Sequence, residues 1–244
     1  MSFNDREQKI LDILHEENTI RNSELAKRLY VSVSTLRRDL ETLEKKGLII
    51  KEHGLCKLRI NFGDETFAYN LREQYSSVAK NQIAKKAAKL VKDGDNIMID
   101  GSSTATCNLR YLNKYRDLLV ISNSAKVAMT LSNTGIRNIS TGGIMARDSV
   151  SFVGQEAINA VKKYNADILF FSCKGITEDG FLTDSDKEEN DVRIEMMKHA
   201  NKKVALVDSS KFERKYLYNL CHLSEVDDII SEEDLPEFLK NQMN

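Results

Sequence analysis

The chain has 244 residues, enough for two ordinary domains, and a formal net charge of −1. Charged residues interrupt every apolar stretch before it nears the roughly 18 residues of a membrane span, and the N-terminus MSFNDREQKI lacks the apolar core of a secretory signal. Cys56, Cys107, Cys173 and Cys221 and the histidines at 15, 53, 199 and 222 are scattered without ligand spacing, which argues against a disulfide framework or a zinc site and for reduced thiols in a cytoplasmic protein.

Residues 5 to 17 place Ile10, Ile13 and Leu14 at helical spacing, an amphipathic helix. Asn22 or Ser23 caps a second helix, SELAKRLY, with Leu25, Ala26 and Leu29 inward. A third follows Val31, with Ser32 as its N-cap and Gly47 as its stop. The segment LIIKEHGLCKLRI then alternates and turns at Gly54, a two-stranded wing. Three helices and a hairpin in about 60 residues form a winged helix-turn-helix pattern. Leu36, Leu40 and Leu43 make the buried stripe of the third helix, while Ser34, Arg38, Glu41 and Lys45 fall opposite, with Arg37 on the flank. Residues 21 to 60 hold ten basic and five acidic side chains, a net +5 that leaves −6 for the remainder. A basic segment on an acidic body points to an anionic partner for the N-terminal part. The bland alternative is a solvated face held by pairs such as Arg37–Glu41.

Residues 61 to 76 lack a clean period but carry Phe62, Phe67, Tyr69 and Tyr75, a connector that packs against something. From residue 77 short apolar strands alternate with helices: strands at 96–100, 118–122, 136–140, 167–173, 203–207 and 227–231, and a last helix at LPEFLKNQM opened by Pro236. This is the pattern of an α/β domain with a mostly parallel sheet and helices on both faces. The organisation expected is therefore a winged helix-turn-helix domain at 1–60, a connector at 61–76 and an α/β domain at 77–244, which the resemblance described below makes a DNA-binding and an effector-sensing domain.

Open parallel sheets bind ligands at the carboxyl ends of their strands. Those ends read Asp100-Gly101-Ser102-Ser103-Thr104, Ser122-Asn123-Ser124, Thr141-Gly142-Gly143, Lys174-Gly175 and Asp208-Ser209-Ser210-Lys211. Ser102 to Thr104 start a helix and suit an anion, Lys174 and Lys211 add positive charge, and Asp100 and Asn123 suit sugar hydroxyls. The set fits a small phosphorylated polyol. Neither GxGxxG nor a Walker A sequence is present, so no cofactor is expected. Small polar residues after strands are also ordinary turn chemistry, and the acidic run Asp184 to Glu189 is read as a solvated helix start.

Ser32-Val33-Ser34-Thr35-Leu36-Arg37-Arg38-Asp39-Leu40, with Leu43-Glu44 and Gly47, resembles the recognition-helix signature of the DeoR-type bacterial transcriptional regulators. The strand-end series is similar to that family's effector domain, which is akin to the ribose-5-phosphate isomerase fold. The resemblance implies a DNA-binding regulator, commonly a repressor, that responds to a phosphorylated sugar and works as a homo-oligomer. It places Ser32, Ser34, Thr35, Arg37 and Arg38 on operator DNA, with Lys45, Lys51 and His53 adding the charge of helix and wing. It places Asp100, Ser102, Ser103, Thr104, Asn123, Gly142, Gly143, Lys174 and Lys211 around the effector. The chain departs from the family pattern at His53-Gly54-Leu55-Cys56, where H-G-G-A is usual, and at Ser102, where glycine is common. Two rivals share the architecture: an activator, and a sugar-phosphate isomerase-like enzyme using Asp184, Glu188 or Glu189 as base beside Lys174.

Overall fold

Helix α1 (Asp5–Glu17) of the computed structural model buries Ile10, Leu11 and Leu14 against α2 (Asn22–Arg28) and α3 (Val33–Lys45), whose Leu25, Leu36, Leu40 and Leu43 complete the stripe. The structure describes residues 5–17, 19–45, 47–58, 69, 72–73, 76–146, 149–240 and 242. Lys46, Arg59, Phe62, Phe67, Tyr75, Met243 and the side chain of His15 lie outside the described residues. Contacts divide the chain into two compact units, Met1–Ser76 and Ser77–Asn244.

In the first unit the wing has three strands where two were expected. Strand β1 (Thr19–Arg21) pairs antiparallel with β3 (Leu55–Leu58), which pairs with β2 (Ile49–Glu52). Three residues are too few to show an alternating period, and their partner lies far along the chain. This pairing also relocates the start of α2. Its N-cap is Arg21, with no side-chain cap, and Asn22 donates its backbone N–H to Gly54 O at 2.9 Å. The expected caps Asn22 and Ser23 are thus inside the helix. Helix α3 begins as its sequence predicts: Ser32 Oγ accepts from Thr35 N at 3.2 Å. It ends at Gly47 (φ 73°), where Leu48 N reaches Leu43 O and Gly47 N reaches Glu44 O, a Schellman closure. Arg6 makes a two-pronged ion pair with buried Asp39 and ties α1 to α3. Of the sequence-assigned connector, Tyr69 is buried, with the Arg72 guanidinium 5.8 Å from its ring centre.

The second unit opens with α4 (Ser77–Ala87), β4 (Asn96–Ile99), α5 (Ser103–Thr106), β5 (Leu119–Ser122), α6 (Ala125–Leu131) and β6 (Arg137–Ser140). A helical stretch of 3-10 type, Cys107–Lys114, continues α5. It goes on through β7 (Ile144–Met145), β8 (Phe152–Val153), α7 (Gln155–Val161), β9 (Ala166–Phe171), β10 (Gly175–Ile176) and β11 (Phe181–Asp184). Helix α8 (Lys187–Lys198), β12 (Ala200–Leu206), β13 (Tyr218–His222), β14 (Asp228–Ile230) and α9 (Glu237–Lys240) complete it.

Six of these strands form one wholly parallel sheet in the order β14-β12-β9-β4-β5-β6. Successive residues alternate between its faces. Met98, Ile121, Leu169 and Phe171 join Val161, Val192 and Met196 of α7 and α8 on one side. Ile97, Ile99, Val120 and Phe170 join Ile83, Leu112 and Val127 on the other, under α4 to α6. The chain builds outward from β4 to β6, then jumps back to β9 on the other side of β4. That reversal opens a crevice at the carboxyl ends of β4 and β9, the position where sheets of this kind take ligands. A second, antiparallel sheet (β10-β11-β13) was not expected from sequence; its strands are short, and β11 meets β13 across a long loop. All four cysteines are buried free thiols, and burial raises Cys56 and Cys173 to about 12.

Candidate DNA interface and effector site

On α3 the leucine stripe fixes what faces outward. Ser32, Val33, Ser34, Arg37 and Arg38 are exposed and Thr35 half-buried, all at the helix's N-terminal end. The three hydroxyls form a chain, Ser32 Oγ lying 2.9 Å from both Ser34 Oγ and Thr35 Oγ1. Arg37 is 79% exposed, and its guanidinium also makes the i,i+4 pair with Glu41 at 3.4 Å that a solvated face would make. A pair this exposed contributes little and yields readily to a phosphate. Lys45 is exposed; Lys51 is half-buried and held by Glu44 at 2.7 Å, so it braces the wing against α3. His53 stands exposed at the hairpin tip with φ 46°, beside Gly54 (φ 80°). Two exposed apolar groups escaped the sequence reading: Tyr30, 95% exposed with φ 54° in the turn before α3, and Val33, the first residue of α3. An exposed apolar residue at that point is suited to a thymine methyl.

In the second unit the β4–β9 crevice is built on Asp100. Its Oδ1 accepts from Ser102 N (3.1 Å) and Ser102 Oγ (2.6 Å), and its Oδ2 accepts from Arg193 Nε (2.8 Å) and Ser172 N (3.3 Å). Both oxygens are therefore engaged within the protein, by the loop that follows β4, by Ser172 and by α8. Ser102 is likewise spent on the fold: as N-cap of α5 its Oγ accepts from Ala105 N at 3.1 Å. Gly101 is required by packing, since a Cβ there would lie 1.7 Å from Ser151 Oγ.

Ser103 and Thr104 present their hydroxyls to lysines. Lys80 of α4 donates to Ser103 Oγ at 3.1 Å, and Lys211 donates to Ser172 Oγ at 2.9 Å and to Thr104 Oγ1 at 3.4 Å. Asp208 approaches the Lys211 ammonium to 3.4 Å. Burial pulls the Asp208 carboxyl up, but Lys211, Ser210 and Lys80 outweigh it and hold it below the ordinary carboxylate range. Lys174 is turned toward the antiparallel sheet, where it donates to Ser185 Oγ and lies 3.4 Å from Asp184 Oδ1. Asn123 donates to Phe152 O at 3.0 Å, while its buried Oδ1 has no hydrogen-bond partner among the described residues. A narrow cleft runs beside it, lined by Asp100, Gly101, Ser151, Glu189, Arg193 and Met196. Gly142 (φ 63°) and Gly143 (φ 121°) follow the edge strand β6. A Cβ on Gly143 would lie 2.7 Å from Val153 O and 3.2 Å from Ala157, so the turn and α7 account for its glycine.

Arg193 was missed. At 4% exposure it binds Asp100, Asp184 (3.3 Å), Asn190 (2.8 Å) and Glu189 (3.4 Å), pinning α8 to the sheet edge. Burial works against its charge, and Asp100, Asp184 and Glu189 more than restore it. The expected solvated acidic run is thus divided: Asp184 is the buried end of β11, Glu189 is half-buried, and only Glu188 of the three carboxylates weighed as bases is exposed. The available signal was position, because Asn190, Arg193 and Met196 share one helical stripe.

The model of the DeoR-like helix-turn-helix domain matches residues 6–59, and that of the DeoR C terminal sensor domain matches residues 76–233. The HTH-type transcriptional regulator GolR of Listeria innocua is 37% identical over 85% of this chain and 82% of its own. The L-fucose operon activator of Escherichia coli is 32% identical over 93% and 94%, and the HTH-type transcriptional repressor GlcR of Bacillus subtilis 32% over 91% and 86%. Among solved structures, ribose 5-phosphate isomerase A from Methanocaldococcus jannaschii aligns over 55% of this chain and 53% of its own at 26% identity, with a TM-score of 0.41. With family models over both units and regulators similar along almost its whole length, this chain belongs to the DeoR family of DNA-binding transcriptional regulators.

Proposed function

We propose that the protein is a cytoplasmic repressor of a carbohydrate-utilisation operon, acting as a dimer or tetramer, whose operator affinity is set by a phosphorylated sugar or polyol. The observation that carries this reading is Lys211, whose ammonium spans Ser172 and Thr104 at the β4–β9 crevice of a chain that also holds a recognition helix. Ser34, Thr35, Arg37 and Arg38 meet bases and phosphates in the major groove, with Lys45, Lys51 and His53 supplying backbone contacts. Binding at the crevice changes how the reading units are presented to two half-sites, a coupling of typically about 1–3 kcal/mol. Relatives named as repressors, GlcR and the glycerol-3-phosphate regulon repressor of Haemophilus influenzae, support the sign. The L-fucose operon activator supports the opposite sign on the same architecture. Catalysis is the weaker reading, because Asp184 is held below the usual carboxylate range by Arg193 and Lys174 against its burial, the wrong direction for a base at neutral pH.

Fluorescence anisotropy on DNA upstream of the protein's own gene, at fixed salt, with and without a panel of triose, pentose and hexose phosphates, tests both halves. Sequence-selective binding that one phosphosugar shifts is expected; release marks induction and tightening marks activation or co-repression. Weak binding that ignores sequence and every phosphosugar refutes the proposal. Arg38→Ala is expected to cost about 1–3 kcal/mol on the operator and relax specificity at one base pair, whereas equal weakening on all DNA would reassign Arg38 to a phosphate.

A further inference from the structure

Tyr30 closes α2. Its N–H donates to Lys27 O and the N–H of Val31 to Ala26 O, both at 3.1 Å, the two bonds of a Schellman closure. That closure holds Tyr30 at φ 54°, a region glycine and asparagine enter readily and a residue with a bulky side chain resists. The neighbours Leu29 and Val31 turn inward and pack on the core of the first unit, whereas Tyr30 is 95% exposed. A tyrosine here strains the turn and buries nothing in return, so the fold of the unit supplies no reason for it. Strain kept at an exposed position points outward, to a partner.

Val33, 62% exposed, is the first residue of α3 and lies one turn before Arg37 on the same face. A β-branched side chain in an exposed first turn adds nothing to helix stability. Around these two apolar groups the surface is hydroxylic and cationic. Ser32, Ser34 and Thr35 form their hydroxyl chain there, and Arg37 and Arg38 follow. The first turn of α3 carries no acidic residue, and Asp39 is buried against Arg6. An apolar spot framed by cations and hydroxyls complements the major groove, where the thymine methyl is an apolar group between two rows of phosphates.

We propose that Tyr30 and Val33 form an apolar edge of the DNA contact, with Val33 seated on a thymine methyl and Tyr30 laid along the adjoining backbone, its hydroxyl donating to a phosphate. This rests on α3 entering the major groove, as given above, and adds to it a base and a backbone contact that carry no charge. Val33 then supplies sequence selectivity, and Tyr30 supplies affinity that is the same on every sequence. Tyr30 also sets stability against binding, because the residue that suits the turn best is not the one that suits DNA.

The test uses the full-length chain without phosphosugar, the duplex it selects from a random pool, and fluorescence anisotropy at fixed salt. Each thymine is replaced in turn by uracil, which removes the methyl group and keeps every hydrogen-bonding atom. One replacement is expected to weaken wild-type binding about fourfold, the loss of one buried methyl at about 0.8 kcal/mol. Val33→Ala is expected to bind the thymine duplex about fourfold more weakly and to be indifferent to that same replacement, a non-additive pair. If Val33→Ala distinguishes thymine from uracil at every position as the wild type does, the base contact is overturned. Tyr30→Gly is expected to raise the urea midpoint of the first unit, since glycine accepts φ 54° without strain, and to weaken binding to selected and scrambled duplexes alike by about tenfold. A raised midpoint with unchanged DNA affinity overturns the backbone contact. If Arg38→Ala weakens binding while neither Tyr30→Gly nor Val33→Ala does, α3 remains the reading helix and this proposal falls. If the pool yields no preferred sequence, the reading of α3 falls and takes this one with it.

Discussion

Removing Arg193 is the most severe single test of how the second unit is held together. Its guanidinium is 4% exposed and neutralises Asp100 and Asp184, which are 2% and 3% exposed, with Glu189 at its edge. In Arg193→Met the volume is nearly kept, but Asp100 stays buried without its cation, satisfied only by Ser172 and Ser102, and Asp184 keeps only Lys174. Breaking a buried pair in this way costs about 3–5 kcal/mol. At a urea m-value of about 2 kcal/mol/M, the midpoint of the second unit should fall by about 1.5–2.5 M. Far-UV circular dichroism follows it, with the two units fitted as separate transitions because a two-domain chain is not two-state. The triple variant Arg193→Met/Asp100→Asn/Asp184→Asn should recover most of the loss, since the charges then leave together. A single variant within about 1 kcal/mol of wild type, or a triple variant less stable than the single, refutes the claim that Arg193 is the counter-ion of this edge.

Ser32→Ala removes the hydroxyl that caps α3 and should lower the stability of the first unit by about 0.5–2 kcal/mol, read by urea unfolding. Gly101→Ala drives a Cβ into Ser151, and overpacking of this kind should cost about 1–3 kcal/mol, with Ser151→Gly restoring part of it; no loss would mean the loop moves freely. Acid should weaken the second unit. Asp184 and Asp208 sit below their unfolded values, so their contribution is complete above the ordinary carboxylate pKa of about 4 and is lost as pH falls through the lower folded values. A urea midpoint for this unit that does not fall between neutral and strongly acidic pH would contradict both assignments.

Elements written in local signals were legible in the sequence. The cap at Ser32, the leucine stripe of α3 and the stop at Gly47 each depend on neighbours a turn away, and the alternation of short apolar strands with helices announces a parallel sheet. What depended on distant pairing was not. Strand β1 exists because Ile20 meets Cys56, and β13 because Leu182 meets Cys221; neither segment alone is long enough to declare itself. Strand ends located the crevice but not its internal wiring. The sequence puts Asp100 and Ser102 at a strand end, and only the fold shows Arg193 and Ala105 bonded to them. Lys80 and Arg193 fell within charged helices of the alternating pattern, where a long cation is ordinarily assigned to solvent. Their places on stripes 80-83-84-87 and 190-193-196 were the warning.

The wiring also bears on why a crevice suited to sugar phosphates serves a regulator. An isomerase needs a carboxylate whose affinity for a proton is tuned toward neutrality and which can reach a substrate carbon. Here Asp100 is saturated by four hydrogen bonds, Asp184 is lowered by Arg193 and Lys174, and Glu188 points to solvent. The groups that would do chemistry are instead spent on fixing α8 and the β10–β11 hairpin to the sheet. Lys211, which donates to Thr104 and Ser172, stands outside that network, and on the proposed reading it recognises charge without transforming it. On the proposed reading a floor whose charges pair with one another suits a sensor, because the ligand meets groups that bind it while Arg193, Asp100 and Asp184 hold α8 and β11 to the sheet edge.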